Sequence, residues 1–164
     1  MIRTIAFHIL YMAFLPAMLA CGKLPDPVVP DPPQEEQKEG TDTTMPETIQ
    51  ITISGKTLPL KLDDNVATRA LVAVLREASL TYEADDYGGF EKVGEMGRSL
   101  PSADRQISTS PGDVVLYNSR HIVLFYGNNS WSYTLLGKIQ YGTLDELKSF
   151  LKAGDGKISV TLSL

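Results

Sequence analysis

Residues 113–126 read DVVLYNSRHIVLFY. Asp113–Tyr117 and His121–Tyr126 are two runs of β-branched and aromatic residues, joined by Asn118-Ser119-Arg120. Such residues fit a pleated surface, and because each run is nearly continuous in apolar side chains, both strands are predicted to be covered on both faces. Outward from this pair the pattern changes to simple alternation. Ile49, Ile51 and Ile53 alternate with polar residues, Gly55-Lys56 makes a tight turn, and Leu58, Leu60 and Leu62 repeat the period of two. Ile158, Val160, Leu162 and Leu164 alternate in the same way at the far end. Asp64-Asn65 offers caps for a helix with Ala67, Ala70, Leu71, Val74, Leu75 and Ala78 on its apolar face. Thr143-Leu144-Asp145-Glu146 is a capping box opening a second helix, with Leu144, Leu147, Phe150 and Leu151 inward. A short strand is predicted over Leu80–Ala84, followed by an acidic glycine loop, Asp85-Asp86-Tyr87-Gly88-Gly89. Residues 90–112 read as irregular chain around short strands, and Trp131–Ile139 as a strand interrupted by Gly137. Seven or eight strands with two helices and no repeated strand–helix alternation exclude a doubly wound parallel sheet. The expectation is a mainly β fold over residues 49–164, a small closed antiparallel β-barrel with two helices.

The chain has 164 residues, enough for one domain. Its formal charge of −5 is concentrated in residues 22–48, where Lys23 and Lys38 face seven acidic residues. The remainder is close to neutral, so it offers no basic surface for phosphates, and no nucleic-acid partner is expected. Residues 22–48 also hold six of the ten prolines and no aromatic residue. That composition cannot form a core and predicts an extended tether.

The first segment has the order of a secretory signal: Arg3, an apolar run from Ile5 to Leu15, then Pro16 and small residues up to Ala20. Pro16 and the polar tract after Cys21 stop the run short of a membrane span. Cys21 is the only cysteine, and its place after Met18-Leu19-Ala20 resembles a bacterial lipoprotein signal, in which this cysteine is acylated. The resulting organisation is a signal peptide over 1–20, a lipidated Cys21 with a tether to residue 48, and the domain from residue 49. The implied location is the bacterial cell envelope, lipid-anchored in the outer membrane and facing the periplasm. A domain without cysteine and with His121 as its one histidine excludes disulfides, thiolate zinc sites, cysteine nucleophiles and multi-histidine metal sites. No metal or other cofactor is expected.

The element order, with Leu136-Gly137-Lys138-Ile139 just before the second helix, resembles a cyclophilin. The stretches Asp86–Gly94, Pro111–Tyr117 and Asn129–Tyr133 resemble more closely a family of small bacterial cyclophilin-like domains. The resemblance covers almost all of residues 49–164 and implies the barrel fold. Trp131 follows His121 by ten residues, the interval between the glutamine and the tryptophan of the cyclophilin groove. It thus implies His121 at the glutamine's place and Val123 at the groove phenylalanine's. The family's prolyl isomerases carry an arginine on the strand after the first helix, and Leu80–Ala84 has none. The Phe-Met-Gln segment that follows it in cyclophilins is absent too. Strong catalysis is hard to justify without a donor fixed where charge develops.

Five of the domain's ten aromatic residues fall within residues 117–133. Phe125 and Tyr117 read as core, whereas Trp131 sits among polar neighbours and suits the border of a ligand site. Tyr87 and Phe90 flank a glycine pair that lets backbone approach a ligand. The expected groove is bordered by Tyr87, Phe90, His121, Trp131 and Tyr133, with Arg98 or Arg105 supplying charge. Ser130 and Ser132 lack the Gly-x-Ser-x-Gly elbow of a serine nucleophile. Asp85, Asp86, Glu83 and Glu91 lack calcium-loop spacing and read as a solvated acidic loop. The function expected is a binding module for a peptide or small molecule, with peptidyl-prolyl isomerisation as the enzymatic alternative.

Overall fold

The computed structural model describes residues 44–164. The expected signal segment, Cys21 and the expected tether as far as residue 43 lie outside the described residues. The tract's last residues are tied to the domain: the Glu47 carbonyl accepts from the Leu62 N–H, and the Thr44 carbonyl from Arg76.

Nine strands and two helices follow in the order β1 (Thr48–Ile53), β2 (Lys56–Leu62), α1 (Val66–Glu77), β3 (Leu80–Tyr87), β4 (Glu91–Glu95), β5 (Arg105–Ser108), β6 (Asp113–Tyr117), β7 (His121–Phe125), β8 (Ser130–Ile139), α2 (Leu144–Phe150) and β9 (Ile158–Ser163). Eight of the strands form a closed antiparallel barrel in the order β2-β1-β9-β3-β4-β7-β6-β8, with β8 returning to β2 through Leu60 opposite Ile139 and Leu62 opposite Gly137. At that seam a Cβ on Gly137 would run into the Lys61 carbonyl, so only glycine lets the two strands meet. The ninth strand, β5, lies outside the ring on the first half of β8, Ile107 opposite Trp131 and Arg105 opposite Tyr133.

The alternating strands close the barrel because their apolar sets point one way. Ile49, Ile51, Ile53, Leu60, Val160 and Leu162 are all buried, in one core with Ala67, Leu71 and Leu75 of α1 and Leu147 and Phe150 of α2. The β6–β7 pair divides its residues between two cores. Val114, Leu116, Ile122 and Leu124 point into the barrel, and Val115, Val123 and Phe125 point outward into a second cluster with Tyr133. That is why both runs are continuous in apolar residues. The turn between them places Asn118 and Ser119 at φ 49° and 58°, a left-handed pair that matches the twist of a hairpin.

Asn65 caps α1 in a reciprocal box with Thr68: its side chain accepts from the Thr68 N–H, and the Thr68 hydroxyl accepts from the Asn65 N–H. Thr68 is therefore buried without an unmet polar group. Three local expectations are corrected. Strand β3 runs on to Tyr87, because Asp86 finds a cation across the hairpin and need not seek water. Ala78 is the exposed C-cap of α1 and not part of its inner face. Leu144 is 42 % exposed: it opens a two-turn helix whose inner stripe Leu147, Phe150 and Leu151 complete.

Candidate functional site

The outward-facing cluster of β4, β6, β7 and β8 is not fully covered. A cavity of about 460 Å³ opens over it, lined by Tyr87, Glu91, Val93, Tyr117, His121, Val123, Asn129, Trp131 and Tyr133. Strand register explains the convergence. Tyr87 faces Glu91 across β3–β4, Val93 faces Val123 across β4–β7, and Tyr117 faces His121 across β6–β7. Side chains directly opposite on one face stand about 4.5–5.5 Å apart at Cβ, so β3, β4, β7 and β6 supply one continuous wall, which Trp131 and Tyr133 of β8 complete.

Val93 and Val123 form the apolar part of that wall, backed by Phe125. The rings of Tyr117 and Tyr133 meet edge to face at 5.8 Å, and Tyr133 meets Phe125 in the same way at the same distance. Asn129 donates to the Tyr133 hydroxyl at 2.9 Å and fixes that ring. Burial raises the Tyr133 phenol, and the Glu91 charge adds to the shift. At the rim Tyr87 and Trp131 remain 66 % and 56 % exposed, the two most exposed large apolar side chains among the described residues. Large rings left in water beside a half-lined cavity are the usual border of a ligand site.

Two of the lining residues carry a buried polar atom without a partner, Glu91 Oε2 and His121 Nδ1; a third such atom among the described residues, the Tyr82 hydroxyl, lies in the barrel core. Glu91 is 5 % exposed, and burial alone pushes its carboxyl up to about 7. Most buried polar groups in native proteins are paired, so two unpartnered atoms on residues of one lining single out this cavity as the candidate ligand site.

Of the residues singled out from sequence, the cavity brings together Tyr87, His121, Trp131 and Tyr133. Phe90 stands behind it, stacked on Phe125 at 6.5 Å and 5° as part of the second cluster. Arg98 and Arg105 are exposed and lie outside the lining, although Arg105 is beside Tyr133 in the β5–β8 register. Val123, carried over from the groove phenylalanine, is in the wall. Glu91, Val93, Tyr117 and Asn129 are lining residues that sequence reasoning did not select.

The acidic loop is corrected in part: Glu83 and Asp85 are exposed, but Asp86 is only partly so and Glu91 is buried. Lys92, fully buried, pairs with Asp86 at 2.7 Å and also donates to the Gly156 carbonyl. Among the described residues no group of three or more histidine, cysteine or acidic side chains is arranged to hold a metal.

The fold and the site together define a small closed antiparallel barrel with an aromatic cavity on its outer wall. Residues 51–163 match the model of the cyclophilin-like family, and the chain belongs to that family. It is similar in fold to the solution structure of a hypothetical protein from Archaeoglobus fulgidus, with a TM-score of 0.50 and 16 % identity, covering 73 % of this chain and 95 % of that one. No curated protein matches the chain.

Proposed function

We propose that the protein is a cyclophilin-like binding module that takes a peptide or small molecule in the outer-wall cavity, tethered through a lipidated Cys21 to the bacterial outer membrane on its periplasmic side. The observation that carries the binding reading is a cavity rimmed by the exposed rings of Tyr87 and Trp131, with Glu91 and His121, each bearing a buried unpartnered atom, among its lining residues. The anchor rests on the signal-like segment and on the place of the chain's single cysteine.

Prolyl isomerisation is the second reading, favoured by His121, Val123 and Trp131 sharing one wall as the cyclophilin groove would have them. Against it stands the lining itself, which holds no arginine to polarise the amide nitrogen of a twisting proline bond. Trp131 is the only tryptophan, so its fluorescence reports on this site alone. With a capped proline-containing tetrapeptide, isomerisation is expected to stay at the uncatalysed rate while Trp131 emission changes saturably. A measurable acceleration would replace the binding reading by the enzymatic one. A flat fluorescence titration would remove the peptide reading.

A further inference from the structure

The lining is unusual in its charge. Its nine residues include one carboxyl group, three tyrosines and a tryptophan, and neither lysine nor arginine. The nearest lysine in sequence, Lys92, points to the opposite face of β4 and is committed to Asp86 and Gly156. Arg120, at the foot of β7, is held by Glu95 at 2.8 Å. Among the described residues, then, no lysine or arginine lines the cavity beside Glu91, Arg105 standing outside the lining opposite Tyr133, and burial raises the Glu91 carboxyl. Aromatic faces around such a group attract positive charge through their quadrupoles.

From the juxtaposition of Glu91 with the aromatic residues Tyr87, Tyr117, Trp131 and Tyr133 in one lining, we propose that the cavity receives the ammonium or guanidinium side chain of a peptide. This rests on the cavity being the ligand site. The cation's N–H groups pair with the Glu91 carboxylate, and the rings enclose its alkyl stem and charge. His121 lies four residues along the wall from Phe125, the residue opposite Glu91, or about 13 Å at strand rise. His121 stands at the far end of that span in the same lining. A lining that extends so far along the wall fits a peptide, which carries a side-chain cation and a main chain together, better than a simple amine.

The test titrates the protein with three capped pentapeptides that differ only at the central residue, lysine, norleucine or glutamate, and follows Trp131 emission. The lysine peptide is expected to bind at least ten-fold more tightly than the norleucine peptide, with the glutamate peptide weakest. Glu91→Gln, of the same shape, is expected to reduce lysine-peptide affinity at least ten-fold. Glu77→Gln, which removes an exposed carboxylate of α1, should leave it unchanged. Equal lysine and norleucine affinities would overturn the cation proposal while leaving the cavity as the ligand site. Equal losses in both variants would overturn it too, showing only long-range charge. No response to any peptide would overturn both the proposal and the reading it rests on.

Discussion

Asp86→Ala is expected to destabilise the domain by about 3–5 kcal/mol, the cost of leaving a buried charge without its partner. The charge is Lys92, whose side chain is wholly inaccessible and has only the Gly156 carbonyl besides Asp86. Asp86 also accepts from the Tyr126 hydroxyl at 2.9 Å and from the N–H groups of Gly156 and Gly154 at 2.8 and 3.2 Å. One carboxylate thus joins β3, β4, the end of β7 and the loop before β9. Lys92→Met is expected to cost less, because the stem's volume is kept and Asp86 retains three donors. Combining it with Asp86→Ala should recover part of the loss. Urea unfolding at pH 7 measures all three; a change below about 1 kcal/mol for Asp86→Ala would contradict a tightly held buried pair. Burial pushes the Asp86 carboxyl up, yet Lys92, the two glycine N–H groups and Tyr126 together hold it down at about 2, from an ordinary 3.8. Its stabilising contribution, roughly 2 kcal/mol, is therefore complete above pH 4 and lost as pH falls toward 2.

The second large effect has the opposite sign. Glu91 holds its proton up to about pH 7 in the folded chain and releases it near 4.5 when unfolded. Between those values the folded state binds the extra proton, so stability falls as pH rises through the window. The loss reaches roughly 3 kcal/mol above pH 7. Glu91→Gln carries no titrating group, so at pH 5 it should unfold close to wild type and at pH 8.5 it should be more stable by up to that amount. Parallel pH–stability curves for the two proteins would contradict the buried, unpartnered carboxyl. A site that sacrifices stability for an unpaired acid is consistent with a residue retained for its ligand.

The barrel was legible because its strands announce their faces. Ile49, Ile51 and Ile53 alternate, while the unbroken Val114–Leu116 and Ile122–Phe125 runs announce two covered faces, and both arrangements are what the structure contains. The capping residues Asn65 and Thr143 marked the helix starts correctly. The site was half legible. Tyr87, His121, Trp131 and Tyr133 were found through aromatic clustering, turn position and the resemblance, all of which sequence carries. Glu91 was missed because four carboxylates within nine residues read as a solvated loop. The signal that separates them is alternation across the hairpin: with Gly88-Gly89 as its turn, Glu91 and Val93 fall on one face and Lys92 on the other. Lys92 then neutralises Asp86 inside the barrel end, and Glu91 is left in the outer wall. Arg98 and Arg105 were named for a charge the groove was expected to need, and the wall instead carries a carboxyl.

The central claim, that the outer-wall cavity is the ligand site, is tested most directly by mapping backbone amide shifts by NMR as the capped lysine pentapeptide is added. The account predicts that the perturbed amides cluster at Tyr87, Glu91, Tyr117, His121, Trp131 and Tyr133, on five strands that meet at that wall. Shifts confined to the groove beside Lys56 and Phe150 or to the free edge of β5, with the wall unmoved, would contradict it.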